Sequence, residues 1–327
     1  MTQNIAIITP VYNDWESLQV LLTELVACFR ERDCTISVIA VDDCSSERAP
    51  SKMGLFPPIV SVSILRLSVN MGHQRAIAVG LASIAMRKDI DVVAVMDSDG
   101  EDRPEELVRL IDSVTKNPKL AVVAQRAKRS EGRGFRLGYR VYTGLFRLST
   151  GQRIDFGNFC VLPFEYVAQL INRPEIWNNF AATLIRSRIP MARIPTARGL
   201  RYAGQSKMNL ISLVTHGLGA MSVFSEVIFV RILFGSALLL GLVTIGAFAV
   251  LLIKMSSDAA IPGWTTNVLG FLVVVGLQTV MMAVMMAFLL LNNRTAIQIA
   301  PLETAASYVC EKKIFSATHA SEQGAEI

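Results

Sequence analysis

Met96-Asp97-Ser98-Asp99-Gly100-Glu101-Asp102-Arg103-Pro104 follows the apolar run Val92-Val93-Ala94-Val95 and precedes Glu105-Glu106-Leu107-Val108-Arg109-Leu110-Ile111. The first run has the make-up of a buried strand. The second carries helical spacing, with Pro104 where a helix start tolerates it. The strand therefore ends in a turn that holds four carboxylates within six residues. Carboxylates this close repel one another unless a positive charge sits among them. A divalent cation carrying a diphosphate meets that need, because such ions bind through one or two carboxylates plus substrate phosphates. The same run also fits a solvated turn opening a charged helix N-terminus, where Asp and Glu are favoured in any case.

Working outward, residues 1–205 alternate strand and helix patterns. Apolar strands are expected over 5–8, 36–41, 62–67, 92–96 and 120–124, with helices over 15–30, 74–88 and 105–116. Strands that are apolar throughout and separated by helices imply a mostly parallel, Rossmann-like α/β sheet covered on both faces. Ligands of such sheets bind at the carboxyl ends of strands. Thr9-Pro10-Val11-Tyr12-Asn13-Asp14, Asp42-Asp43-Cys44-Ser45 and Asp97-Ser98-Asp99 all fall there, so three polar motifs converge on one edge. Neither GxGxxG after the first strand nor GxxxxGK[ST] occurs, which demotes nicotinamide chemistry and P-loop phosphoryl transfer.

The 327 residues are 52% hydrophobic and 18% charged, with a mean hydropathy of +0.42. The apolar excess is concentrated in 232–253 and 268–291, which contain no charged residue. Each exceeds the ~20 residues a helix needs to cross the hydrocarbon core. Between them lies a short hairpin, 254–267, with Pro262, Gly263 and Trp264. Basic residues flank the pair on the other side: Arg198, Arg201, Lys207 and Arg231 before, Arg294, Lys312 and Lys313 after. The positive-inside rule then puts the large N-terminal part and both termini in the cytoplasm, in an inner-membrane protein of two spans. Residues 206–230 read as amphipathic helices lying on the membrane. Gly235, Gly241 and Gly246 would allow close helix contact, and so a homo-oligomer. The five cysteines form no CxxC pair and suit a reducing compartment. The net charge of +5 is modest and clusters near the membrane, which favours anionic lipid over nucleic acid as partner.

Six motifs in order carry a family resemblance: Thr9 to Asp14, Val41 to Ser45, Asn70-Met71-Gly72-His73-Gln74-Arg75-Ala76, Met96 to Pro104, Asp155-Phe156-Gly157-Asn158-Phe159, and Arg201-Tyr202-Ala203-Gly204-Gln205-Ser206-Lys207. Together they resemble family 2 glycosyltransferases of the GT-A fold, in the group of dolichol-phosphate mannose synthase and bacterial polyprenyl-phosphate glucosyltransferases. The likeness runs over about residues 4–292. It implies a nucleotide-sugar donor, Mg2+ or Mn2+, and a polyprenyl phosphate acceptor. It also implies a chain divided into a transferase domain (1–205), juxtamembrane helices (206–230), a transmembrane hairpin (231–292) and a cytoplasmic tail (293–327).

By that resemblance Pro10, Tyr12, Asp14, Asp42, Asp43, Arg75, Asp97 and Ser98 line the donor site, with Asp43 facing the base or ribose. Asp97, Asp99 and Glu101 hold the metal. Glu101 stands where many relatives have Gln, an added charge expected to tighten the metal, and Asp14 replaces the commoner Glu. Arg126, Arg140, Arg201, Ser206 and Lys207 take the acceptor phosphate, for which guanidinium forks are well suited. Asp155 joins Asp99 as a candidate catalytic carboxylate, placed beside the acceptor. A carboxylate facing a dianion is unfavourable unless a cation lies between them, so positioning is its expected role before that of a base. The expected reaction inverts the sugar and yields a polyprenyl-phosphate sugar, with UDP-glucose as the first donor to test. UDP-N-acetylglucosamine, UDP-galactose and GDP-mannose stay open. The alternatives are a polysaccharide synthase, whose QxxRW motif is missing from this sequence, and a non-catalytic nucleotide-sugar binding protein.

Overall fold

The structure is a computed structural model that describes residues 2–126, 133–203, 210–256, 263–295 and 299–316. Strands β1 (Gln3–Val11), β2 (Cys34–Asp42), β3 (Ile59–Leu67) and β4 (Val92–Val95) are joined by helices α1 (Trp15–Phe29) and α2 (His73–Ile84). Helix α3 (Pro104–Lys116) opens on Pro104 and carries Glu105 and Glu106 in its first turn, with Lys116 in its last, the polarity that the helix dipole favours. Then follow β5 (Ala121–Arg126), α4 (Arg133–Thr150), β6 (Cys160–Pro163), α5 (Glu165–Ile171), α6 (Phe180–Arg186) and β7 (Met191–Thr196).

One eight-stranded sheet results, in the order β7-β5-β6-β4-β1-β2-β3-β8, where β8 is Val309–Ser316. Strands β1, β2, β3 and β4 pair in parallel. Strand β6 runs antiparallel between β4 and β5, and β5 runs parallel to β7. The reversal of β6 matters for the site. A strand that runs backwards begins where its neighbours end, so the segment entering β6 at Cys160, opposite Val95, lies at the carboxyl edge of β4. The mostly parallel α/β architecture expected from the apolar strands is the one found.

Each face of the sheet is covered. Helices α2, α5 and α6 pack on one face around Ile8, Val41, Ile77, Leu81 and Phe180. Helices α1 and α3 pack on the other around Ile7, Leu18, Leu25, Val38 and Leu110. Helix α2 lies close to the sheet at Gly80, where a β-carbon would fall 2.6 Å from Ile8 Cγ2 and 3.1 Å from Val41 Cγ2.

The chain forms two compact units. The sheet unit includes helix α7 (Leu210–Ser222) and residues 299–316. In that returning segment β8 pairs antiparallel with β3, and the Ser68 amide donates to the Tyr308 carbonyl at 2.9 Å. The second unit is built on helices α8 (Ser225–Ser256) and α9 (Trp264–Thr295), of 32 residues each. Both are long and apolar enough to cross a membrane. They pack against each other near Gly246, where a β-carbon would lie 3.9 Å from Leu272, and near Gly276, where one would lie 3.6 Å from Val243. Gly235 and Gly241 have nothing within 4 Å at a built β-carbon among the described residues. Helix α8 starts seven residues ahead of the charge-free run that begins at 232. It therefore takes in the end of the stretch read as juxtamembrane. The hairpin tip, 257–262, lies outside the described residues.

Replacing Gly80 by Ala normally gains about 1 kcal/mol in a helix. Here the new methyl meets two buried β-branched side chains, and overpacking of that kind costs about 1–3 kcal/mol. Gly80→Ala is expected to lower the thermal unfolding midpoint of the purified protein, and an unchanged or raised midpoint would contradict the packing described.

Candidate functional site

The turn after β4 is built from its own carboxylates. The Asp102 side chain, 4% exposed, accepts the Asp97 amide at 3.0 Å, and Asp99 accepts the Glu101 amide at 3.0 Å. The Ser98 hydroxyl donates to the Pro10 carbonyl at 3.3 Å, which ties the turn to the end of β1. Gly100 sits at φ +87°, a conformation that an L side chain rarely adopts.

A second segment, 198–202, lies along this turn. The Gly199 amide donates to the Glu101 carbonyl and the Tyr202 amide to the Asp99 carbonyl, each at 2.9 Å. The approach is tight enough that a β-carbon on Gly199 would stand 2.0 Å from the Gly100 carbonyl oxygen. Arg198 pairs with Glu101. Arg201 pairs with Asp99 and, through Nε at 3.3 Å, with Glu101. The Tyr202 hydroxyl donates to Glu24 at 2.5 Å. Burial, reinforced by that bond to Glu24, pushes the Tyr202 phenol far above its ordinary range.

The two acids of the turn that face these arginines respond in opposite ways. Burial raises Glu101, but the Arg198 and Arg201 guanidinium groups outweigh it and hold its carboxyl below the usual range. Asp99 ends above its usual range, because burial and the neighbouring Asp97 charge exceed what the Glu101 amide and Arg201 supply. The donor set Asp97, Asp99 and Glu101 is all oxygen, as Mg2+ and Mn2+ prefer. Among the described residues no group of three or more His, Cys, Asp or Glu is gathered to hold a metal alone. An all-oxygen set of this size fits a hard divalent ion that also takes substrate phosphate oxygens.

The β1 and β2 ends supply the neighbouring wall. Tyr12 is 43% exposed, and Asn13, at φ 48°, donates its amide to the Ser45 hydroxyl at 2.9 Å. Asp14 precedes the first turn of α1 without a side-chain cap. Asp42 is fully buried, accepts the Ser45 amide at 2.8 Å and lies 3.9 Å from the Arg66 guanidinium. Asp43 accepts the Met71 amide at 2.6 Å and the Gly72 amide at 2.8 Å. Burial raises its pKa, and these two amides offset part of that. Both carboxylates thus hold loops in place. Arg75 is exposed on the first turn of α2. Gln74 reaches the other way, donating to Asn158 at 3.0 Å and accepting the Phe180 amide at 2.6 Å, so the motifs at 70–76 and 155–159 meet.

Asp155 accepts Gln125 Nε2 at 2.9 Å and Arg193 Nε at 3.1 Å, with Arg153 Nε at 3.6 Å. Beside it, Gly157 and Phe159 line a small cleft with Glu101, Asp102, Thr196 and Arg198. Arg126 ends β5 opposite Thr196, and Arg140 is exposed on α4. Ser206 and Lys207 lie outside the described residues, as does the side chain of Arg126. Of the cations assigned to the acceptor, Arg201 is the one the structure brings against the acid turn.

Sequence reading overlooked Arg198, Arg193 and Gln125. For Arg198 there is a signal: it stands three residues before the Arg201–Lys207 motif and is one of the basic residues that precede the first apolar run. For Gln125 and Arg193 there was none, because they meet Asp155 only through the pairing of β5 with β7.

The topology and the acid turn define a sugar-transfer domain, and residues 6–171 match the sequence model of glycosyl transferase family 2. The chain belongs to that family and is a glycosyltransferase. It is 28% identical over 290 residues to the undecaprenyl-phosphate 4-deoxy-4-formamido-L-arabinose transferase of Edwardsiella ictaluri (strain 93-146), covering 81% of this chain and 80% of that one. It is 30% identical over 163 residues to the transferase of the same name from Pectobacterium carotovorum subsp. carotovorum (strain PC1), covering 49% of this chain and about half, 48%, of the relative. Among solved structures, glucosyl-3-phosphoglycerate synthase from Mycobacterium tuberculosis, in complex with Mn2+, UDP-glucose and phosphoglyceric acid, superposes with a TM-score of 0.49 at 13% identity. That match covers 69% of this chain and 80% of the synthase.

Gly199→Ala is expected to push segment 198–202 off the acid turn, since the obstructing atom is backbone. Amide exchange at Gly199 and Tyr202 should quicken, and sugar transfer should fall by about 10²-fold, as for an ångström-scale misplacement of a site group. Wild-type exchange at both amides would refute the docking.

Proposed function

We propose that this chain transfers a hexose from a nucleotide sugar to polyprenyl phosphate, with inversion, giving a polyprenyl-phosphate sugar at the cytoplasmic face of the inner membrane. The observation that carries the reading is the acid turn after β4, braced by segment 198–202 at the sheet edge where ligands of such sheets bind. The likeness to an undecaprenyl-phosphate 4-deoxy-4-formamido-L-arabinose transferase, over 81% of this chain and 80% of that one, supports the acceptor. Two spanning helices whose flanking segments belong to one unit support a catalytic domain and tail on the same side.

The donor's nucleoside lies against Pro10, Tyr12 and Asp14, with Asp42, Asp43 and Arg75 shaping the wall, and its diphosphate meets Asp97, Ser98 and Asp99. Asp97 and Asp99, with Glu101 beside them, would hold Mg2+ or Mn2+, which when bound neutralises charge on the departing diphosphate. Glu101 already has two guanidinium partners, so ligation falls mainly to the two aspartates. The acceptor is a phosphate monoester whose second pKa near ~6 leaves it largely dianionic at neutral pH. It attacks the anomeric carbon without a strong base, and the chain's task is to hold two anions together. Arg126, Arg140, Arg201, Ser206 and Lys207 take the acceptor phosphate, and Asp155, which holds Gln125 and Arg193, has a positioning role beside it. UDP-glucose is the first donor to test, and nucleotide-linked formamido-arabinose follows because the relatives are named for that sugar.

The test is transfer of label from a panel of nucleotide sugars into polyprenyl phosphate by detergent-purified protein. Label should enter the lipid from one donor, should stop with EDTA, and should fall by about 10²–10³-fold in Asp99→Ala, the scale of losing one transition-state charge partner. A growing polymer, or donor binding without product, would overturn the reading in favour of a synthase or a binding protein.

A further inference from the structure

We infer that Arg193 is a phosphate-binding residue of the transfer site, seated on Asp155 through Nε and presenting its two Nη groups to the phosphate of the lipid acceptor. The inference rests on the acceptor reading above and adds a residue outside the family's motifs.

The placement follows from strand register. Arg193 on β7 pairs with Val123 on β5, and Gln125 lies two residues further along β5, hence on the same face. The two side chains converge on Asp155, one on each oxygen: Arg193 Nε at 3.1 Å from Oδ1, and Gln125 Nε2 at 2.9 Å from Oδ2. Arg153 Nε stands 3.6 Å from Oδ2. Two guanidinium groups against one carboxylate leave the cluster with a net charge of +1. An acidic residue at a site for a dianion thus becomes part of an anion-attracting group, which resolves the repulsion that Asp155 alone would cause.

Geometry gives Arg193 the leading role. Its side chain is 39% exposed whereas that of Asp155 is 16% exposed, so the guanidinium lies on the outer side of the pair. Its central carbon lies 5.8 Å from the centroid of the Phe156 ring, a contact that steadies the plane of the fork. With Nε committed to Asp155, the Nη edge is left for a ligand, and among the described residues neither Nη donates a hydrogen bond. A fork so held suits two phosphate oxygens. Arg153, at 77% exposure, adds charge but little fixity. Three residues after Arg193, β7 reaches Thr196, which lines the cleft shared with Glu101 and Arg198. Thr196, at odd spacing, faces the other side of the sheet, and it is Gly157, two residues from Asp155, that brings the cluster to the same cleft.

A phosphate at Arg193 has two sources, the acceptor's monoester and the donor's diphosphate, and kinetics separates them. Full-length wild type, Arg193→Gln and Arg193→Lys are compared in detergent, varying polyprenyl phosphate at saturating donor and then the reverse. Arg193→Gln is expected to raise KM for polyprenyl phosphate about tenfold, with a smaller effect on kcat and on donor KM. Arg193→Lys, which keeps the charge, should recover part of the loss. Direct binding of farnesyl phosphate, measured calorimetrically without donor or metal, should weaken in the same order. A rise in donor KM alone would overturn the inference in favour of the diphosphate. Equal losses in both variants, with a lowered unfolding midpoint and no selective change in acceptor KM, would reduce Arg193 to a structural ion pair. If wild type transfers no sugar to lipid yet binds farnesyl phosphate through Arg193, the proposed function fails and the phosphate site stands. If transfer proceeds and Arg193→Gln binds farnesyl phosphate like wild type, the inference fails alone.

Discussion

Crowded carboxylates after β4 are the constraint that organises the catalytic unit. Two like charges ~4 Å apart repel by about 4 kcal/mol at an effective dielectric constant near 20, a large part of the ~5–15 kcal/mol that keeps a domain folded. The chain handles each acid differently. Asp102 is spent on the turn itself, bonded to the Asp97 amide. Glu101 is matched by Arg198 and Arg201. Asp99 receives Arg201 and an amide, and still keeps a raised pKa. The added charge of Glu101, expected to tighten a metal, is met within the protein.

Sheet direction explains why the other groups arrive at the same edge. Parallel β1, β2 and β4 deliver Pro10, Asp42, Asp43 and the acid turn at their carboxyl ends. Strand β5 runs the same way because it is antiparallel to β6, and β7 follows β5. Residues 155–159 reach that edge for the opposite reason, since they precede a reversed strand. One change of direction in the sheet thus brings Asp155 toward the acids of β4 and the cations of β7. The 70–76 motif is held from both sides, by Asp43 under its turn and by Asn158 and Phe180 around Gln74.

The parts legible in the sequence were those fixed by local pattern. Apolar runs gave β1 to β5, Pro104 marked the start of α3, and two charge-free stretches marked α8 and α9. Strand β6 is only four residues long, too short for periodicity to register. Strand β7 contains Arg193 and Pro195, which break its apolar pattern, and a strand at the sheet's end tolerates both. Strand β8, with Glu311, Lys312 and Lys313, reads as a solvated tail until β3 is there to pair with it. The motifs identified the acids of the site but not their partners. Arg198 and Arg193 gain meaning only through contacts some 100 and 40 residues away in the chain.

The returning strand gives the two apolar helices a structural consequence for the sheet. Without β8, β3 would be an open edge with unpaired amides and carbonyls, the kind of surface that pairs with other chains. Strand β8 covers it and places Lys312 and Lys313 opposite Leu65 and Ile64, so the new edge is charged where the old one was apolar. Its lead-in also supports the donor wall: the Ser68 amide, two residues before Asn70, is satisfied by the Tyr308 carbonyl, and the Trp177 indole by that of Ile299. The sheet unit is therefore discontinuous in sequence, completed by residues that follow the second apolar helix. A sheet finished by its own chain after two apolar helices makes the 66–70 segment depend on residues beyond them, so a domain cut off before the first of those helices would lack the strand that covers β3.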